Sequence, residues 1–187
     1  MHNFCIQKRK NKTMKNLFKI IMLGVLMAIF NACSSQNTAA NANISKLLKE
    51  NEFTFIAQRA NPASADVVNV LTSMPNSTST QVLNLDYGYS LKIMKNEITA
   101  VLPYFGRMFT SNYDNTNNSY RFTSKDFTLT QKAGKKGSTI YFINTKDQQN
   151  VRRMILEVFP NGKAYLNIDS TDRQPISYDG YIQENSK

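Results

Sequence analysis

The chain has 187 residues, which is the length of one domain or of one domain with a tail. Lys and Arg total 23 against 13 Asp and Glu, but six of the basic residues lie in the first 19 positions. The only histidine is His2, and the only cysteines are Cys5 and Cys33. Without its first 32 residues the chain therefore has no imidazole and a single thiol. That composition excludes histidine-dependent triads, zinc fingers and thiolate clusters, and the localised charge removes the main support for nucleic-acid binding.

The N-terminus has the pattern of a secretory signal peptide. Residues 15–19 form a basic flank, and residues 20–30 are an apolar run of eleven. Eleven helical residues reach about 16 Å, roughly half of the ~30 Å hydrocarbon core, so the run is too short to span a bilayer. We therefore expect residues 1–32 to be a signal peptide, with Met14 as the translation start.

The sequence Ala32-Cys33-Ser34-Ser35 follows this run. It resembles a bacterial lipobox, in which a diacylglyceryl group is attached to the cysteine and cleavage occurs before it. The residues at positions 30 and 31 depart from the usual leucine-then-small pattern. We expect Cys33 to be the lipidated, palmitate-bearing N-terminus of the mature protein. The alternative is an ordinary signal peptide with an incidental cysteine.

The remainder divides into a tether and one domain. Residues 33–43 are small, polar and uncharged, which predicts a flexible lipidated tether. Residues 44–187 are enough for one hydrophobic core.

Within the domain, the hydrophobic period predicts mostly strands. A helical turn is expected at residues 44–49, and residues 63–81 stay open between irregular structure and a short helix. Residues 111–119 are predicted to form a polar loop. Asn161-Gly162 predicts a type I′ hairpin turn with both residues at positive φ. Strands are predicted over residues 53–60, 82–86, 90–94, 97–102, 126–132, 139–144, 151–159, 163–170 and 176–182.

These elements predict a mainly β fold with little helix. About eight antiparallel strands joined by short turns must each bury one face, and the outer strands must be protected from edge-to-edge pairing. Closure into a single β-barrel satisfies both requirements.

Three segments carry a family resemblance. Residues 53–57 read FTFIA, residues 102–107 read LPYFGR, and residues 173–180 read RQPISYDG. In this order they resemble the bacterial lipoprotein family called domain of unknown function 4251, over residues 44–182. The resemblance implies a lipocalin-like β-barrel without an assigned activity.

The last two segments also supply the candidate rim of the barrel. Pro103 and Gly106 favour the end of a strand here. In a structural interpretation, the aromatic side chains plug one end of the core and the arginines pair with acids such as Asp179 or Asp86. In a recognition interpretation, an arginine fixes an anionic or planar group beside aromatic walls. The candidate residues are Tyr104, Phe105, Arg107, Arg173 and Tyr178.

The function expected from these features is that of a non-enzymatic lipoprotein of the bacterial cell envelope. Its lipid would bind the membrane. The domain would bind a small apolar ligand or an envelope protein, but no nucleic acid. No catalytic residue, cofactor or metal site is predicted. One alternative is a carboxylate-dependent envelope hydrolase using Asp169, Asp172 and Glu157, although the Asp-x-x-Asp spacing is typical of a turn. Another is a purely structural lipoprotein.

The position of the first acidic residue predicts the orientation of the anchor. In bacteria with this family, lipoproteins sent to the outer surface tend to carry acids directly after the lipidated cysteine. Here the first acid after Cys33 is Glu50. We therefore expect an outer-membrane lipoprotein facing the periplasm.

Overall fold

The computed structural model describes Met22 and residues 36–73, 78–109 and 119–185. The chain divides into two compact units, Met1–Ala39 and Ala40–Lys187. Of the predicted signal peptide only Met22, a helical residue, is described, and Cys33 lies outside the described residues. No helix in the described ranges is both long enough and apolar enough to cross a bilayer.

Helix α1 (Gln36–Glu50) precedes the first strand. It begins eight residues before the predicted helical turn and covers most of the segment predicted to be a flexible tether, so that prediction is corrected from Gln36 onward. Three alanines give the polar first half of the helix a high helix propensity, although this half shows no apolar stripe. The helix stops where Asn51 takes the left-handed conformation, with φ 56°.

The described residues form nine strands. Two short helices, α2 (Ala65–Thr72) and α3 (Ser79–Leu83), lie between the first and second strands, and a 3-10 turn covers Lys135–Gly137. The strands are β1 (Phe53–Pro62), β2 (Ser90–Ile93), β3 (Ile98–Pro103), β4 (Ser119–Ser124), β5 (Phe127–Ala133), β6 (Thr139–Thr145), β7 (Val151–Val158), β8 (Lys163–Ser170) and β9 (Ile176–Gln183).

The strands form a single antiparallel sheet in the order β4-β3-β2-β1-β9-β8-β7-β6-β5. Strands adjacent in sequence pair with each other, except that β1 pairs with β9 and β4 lies at the opposite end of the order from β5. The first and last strands thus join the two halves of the sheet into a barrel that is nearly closed. This confirms the predicted mainly β, antiparallel barrel with little helix.

The interior of the barrel is filled by side chains. Inward and outward positions alternate along the strands, as in β3, where Ile98, Ala100 and Leu102 are buried. Helix α1 packs Ile44, Leu47 and Leu48 against the same core. The largest fully buried side chains are Phe53, Phe55, Leu91, Ile93, Ile98, Leu102, Tyr141, Ile143, Met154, Leu156, Leu166 and Tyr178.

Two elements of the structure differ from the sequence prediction. Residues 82–86 do not form a strand, because helix α3 extends to Leu83 and only Asn84 forms a bridge, with Arg59. Strand β4 was not predicted, since only Tyr120 and Phe122 interrupt its polar sequence. Residues 111–118 of the predicted polar loop lie outside the described residues, and Ser119 already belongs to β4.

The turn between β7 and β8 also differs from its prediction. Gly162 has φ 80°, whereas Asn161 is not among the residues at positive φ. Phe159 N–H donates to the carbonyl oxygen of Lys163, and Gly162 N–H donates to that of Phe159, both at 2.9 Å. This is a three-residue loop with glycine at its left-handed position, not a two-residue type I′ turn.

Candidate functional site

The two motifs that carry the candidate residues lie side by side. Residues 107–109 follow β3, and residues 172–174 precede β9. Met108 and Arg173 form an antiparallel bridge. Gln174 N–H donates to the carbonyl oxygen of Arg107 at 3.0 Å, and Phe109 N–H donates to that of Asp172 at 2.7 Å. These bonds bring both motifs to one end of the barrel.

Tyr104 connects the two motifs through its hydroxyl group. The hydroxyl donates to the carbonyl oxygens of Arg107 and Gln174, at 2.9 and 3.1 Å. Its ring lies against Gly106, where a Cβ would overlap the Tyr104 hydroxyl. Glycine at position 106 therefore allows the Tyr104 side chain to reach both motifs.

Arg173 lies at the centre of this cluster and is only 5% exposed. Its Nη2 lies 2.8 Å from a carboxylate oxygen of Asp172. Its Cζ lies 5.0 Å from the ring centroids of both Tyr104 and Tyr120, within cation–π range. Burial disfavours the charged guanidinium, but the hydrogen bonds and charge of Asp172 outweigh it and raise the pKa of Arg173.

Two further tyrosines close the cluster toward the core. The Tyr120 hydroxyl lies 2.8 Å from that of Ser170, and the Tyr178 hydroxyl donates to the carbonyl oxygen of Pro103 at 2.6 Å. Burial raises the pKa of Tyr120 to about 12 and raises the pKa of Tyr178 still further. Both side chains are therefore neutral hydrogen-bonding groups at neutral pH. We call Tyr104, Tyr120, Asp172, Arg173 and Tyr178 the arginine plug.

Arg107 and Phe105 lie outside the arginine plug. Arg107 is exposed and forms an ion pair at 3.2 Å with Asp66, another exposed side chain. Phe105 is half-buried against the core. The partners of the two arginines are thus Asp66 and Asp172, which corrects the pairing expected with Asp179 or Asp86.

Sequence reasoning missed Tyr120 and the partner role of Asp172. Tyr120 lies in the unpredicted strand β4, and the alternation of Tyr120 with Phe122 is the one signal that could have revealed it. Asp172 was considered only as a candidate catalytic carboxylate, although it directly precedes Arg173.

A cleft of about 510 Å³ lies on the outer face of β1 and β9, beside the loop that precedes β2 and hydrogen-bonds to β1. Tyr87 in this loop is fully exposed. A bulge in β1 between Ala57 and Arg59 shapes the floor of the cleft. The cleft is lined by Ile56, Ala57, Gln58, Arg59, Asn84, Leu85, Asp86, Tyr87, Asp179 and Tyr181. We call it the outer cleft, and the sequence analysis did not identify it.

The carboxylates considered for hydrolysis each have a different partner. Asp169 lies 4.0 and 3.9 Å from the guanidinium groups of Arg152 and Arg153. Asp172 pairs with Arg173, and Glu157 accepts a hydrogen bond from the Ser138 hydroxyl at 2.6 Å. Across the described part of the chain, no three His, Cys, Asp or Glu side chains are grouped as a metal site would require.

Residues 35–182 match the family described as Domain of unknown function (DUF4251). The chain belongs to this family. A solved DUF4251 family protein from Bacteroides eggerthii DSM 20697 has a similar structure, with a TM-score of 0.47 and 12% sequence identity. The similarity covers 80% of this chain and 92% of that one. None of the curated proteins matches the sequence.

Proposed function

We propose that this DUF4251 protein is a non-enzymatic, lipid-anchored protein of the bacterial cell envelope, which binds a protein partner at its outer surface. The observation that favours a protein partner over a small ligand is that side chains fill the interior of the barrel. Barrels that hold a small apolar ligand keep an internal cavity for it. Here the inward positions are occupied by fully buried residues such as Phe55, Leu166 and Tyr178.

The outer cleft is the surface that best fits such a partner. It combines an exposed aromatic side chain, Tyr87, with one cationic and two anionic side chains, those of Arg59, Asp86 and Asp179. Aromatic residues and arginine are the groups that most often dominate protein–protein binding energy. The mixed charge suits a polar protein surface better than an acyl chain.

The anchoring part of the proposal is supported by the sequence around Cys33. A basic flank, a short apolar run and Ala32-Cys33 occur in the order that lipoprotein processing requires. The first acid after Cys33 is Glu50, which supports a periplasm-facing anchor in the outer membrane.

The anchoring is tested by expressing Cys33→Ser in a bacterial host with radiolabelled palmitate. We expect the variant to accumulate as an unlabelled, uncleaved precursor, whereas Ser35→Ala, which keeps the cysteine, is labelled and processed like the wild type. Processing of Cys33→Ser to a released soluble form would show that ordinary signal cleavage acts on this chain.

The binding is tested by cross-linking in the native host followed by mass spectrometry of the purified complexes. We expect one envelope protein to be captured by the wild type and by Tyr165→Ala, and to be lost from Tyr87→Ala. Tyr165 is a suitable control because it is also an exposed tyrosine, 38% accessible, but does not line the outer cleft. A stoichiometric small molecule that co-purifies with both variants would contradict the proposed partner class.

A further inference from the structure

A surface rich in lysine lies at the end of the barrel that helix α1 covers. A groove of about 290 Å³ there is lined by residues of α1, including Leu48 and Lys49, and by residues of two neighbouring turns, including Gly137 and Pro160. We call the exposed lysines on and beside these elements, apart from Lys46, which pairs with Glu50, the basic face. They are Lys49, Lys132, Lys135, Lys136 and Lys163.

The sequence around this surface is free of acidic residues over a long stretch. Between Asp126 and Asp147 every charged residue is a lysine. Of the acids nearby, Glu50 lies 3.9 Å from Lys46, Glu184 lines a groove beside the same lysine, and Glu157 accepts a hydrogen bond from Ser138. Among the described residues, the five lysines of the basic face thus outnumber the acids around them.

Protection of an edge strand accounts for only some of the lysines of the basic face. Lys132 lies on β5, at one end of the sheet order, where a lysine discourages pairing with another chain. Lys49 and Lys163 lie on α1 and β8, which are not edge strands. Their presence on the same surface therefore needs another explanation.

We propose that the basic face docks on the anionic headgroups of the bilayer to which the protein is anchored. This rests on the proposed lipidation, since Cys33 precedes helix α1 by three residues and an acyl group there would tie the helix to the membrane. Clustered lysines beside a lipid anchor bind anionic lipid surfaces and would hold the anchored domain against the bilayer. The partly buried Ile44 and Leu48 between the lysines give the face an apolar component.

The test uses the full-length protein purified from host membranes and reconstituted into vesicles of phosphatidylcholine, with or without phosphatidylglycerol. Each lysine is acetylated with an N-hydroxysuccinimide ester, and its labelling rate is measured by mass spectrometry. We expect the labelling rate of the basic face in the anionic vesicles to be about one third of its rate in the neutral vesicles, or lower. This difference should vanish at high salt. Lys125 and Lys146, with side chains 76% and 61% exposed, are the internal controls and should not change.

Two matched variants make the result specific. Lys135→Ala/Lys136→Ala should reduce the protection of Lys49 and Lys163, whereas Lys125→Ala/Lys146→Ala removes the same charge and should not. Equal labelling of the basic face in both kinds of vesicle would overturn the docking, as would protection that the first variant leaves intact. The intact mass of the same preparation reports separately whether Cys33 carries the lipid, so failure of the anchor and failure of the docking are distinguished.

Discussion

Arg173 and Arg107 belong to neighbouring segments but have opposite environments. Arg173 and its partner Asp172 have side chains only 6% and 12% exposed, whereas Arg107 and Asp66 are 64% and 65% exposed. A buried pair is costly to break, because removal of one charge leaves the other without compensation. An exposed pair is screened by water and contributes little.

We therefore expect Arg173→Ala to lower the free energy of unfolding by about 3–5 kcal/mol. Arg107→Ala is the matched control and should change it by no more than about 0.5 kcal/mol. Urea denaturation followed by circular dichroism measures both. Similar losses in the two variants would contradict the assignment of Arg173 as the structural arginine.

Phe105 provides a second prediction at this scale. Because its side chain is half-buried, we expect Phe105→Ala to cost about 1–3 kcal/mol, less than the ~3–5 kcal/mol typical of a fully buried phenylalanine. Phe55→Ala, at a position that is 0% exposed, supplies the comparison in the same denaturation assay. A loss at Phe105 equal to that at Phe55 would show that the segment after β3 is more deeply buried.

At the scale of elements, helix α1 and the turn between β7 and β8 fit closely together. Gly162 lies in this turn at φ 80°, and a Cβ there would lie 3.0 Å from the Cδ1 atom of Ile44. One turn further along the helix, the Tyr141 hydroxyl donates to the carbonyl oxygen of Leu48 at 3.0 Å. The helix is thus fixed to the barrel by packing and by a hydrogen bond.

Two glycines allow this packing to be measured. Gly137 has φ 75° and only an ordinary contact, so Gly137→Ala should cost about 1–2 kcal/mol through backbone strain alone. Gly162→Ala adds the overlap with Ile44 and should cost more. In an Ile44→Ala background the two costs should become equal, which a double-mutant cycle of urea denaturation will show. If the excess cost at Gly162 persists without the Ile44 side chain, the helix does not pack there in solution.

At the scale of the whole molecule, buried tyrosines link the stability of the barrel to alkaline pH. Burial raises the pKa of both Tyr120 and Tyr141 from 10.0 to about 12. Above pH 10 the unfolded chain loses these protons while the folded chain keeps them. The folded state then binds more protons, so an increase in pH favours unfolding.

We expect the free energy of unfolding to keep the full contribution of these tyrosines below pH 10 and to lose it between pH 10 and about 12. Denaturant midpoints across this range measure the loss. Tyr141→Phe removes one of the two groups and should make the decline shallower. A decline that is equally steep in this variant would mean that the Tyr141 hydroxyl is not protected by folding.

The sequence determines the local features of this protein. Alternating apolar residues predicted β3, β6, β8 and β9 nearly to their ends, because a half-buried strand repeats every two residues. The sequence predicted less well where no apolar period exists, as in the polar first half of α1 and in β4. The strand end at residues 103–107 was found from its proline, glycine and large aromatics, whereas Arg173 and Tyr178 became candidates through the family resemblance.

The tertiary structure alone decides what these elements do together. Tyr178 and Pro103 are 75 residues apart in the chain, and Tyr104 is 70 residues from Gln174. A local pattern carries no information on such contacts, so it could not show that Arg173 is buried with Asp172 while Arg107 is exposed beside Asp66. The tertiary structure likewise decides that the interior of the barrel is filled. Each strand specifies which face is apolar, but whether the apolar faces enclose a cavity depends on how nine strands close and how their side chains pack.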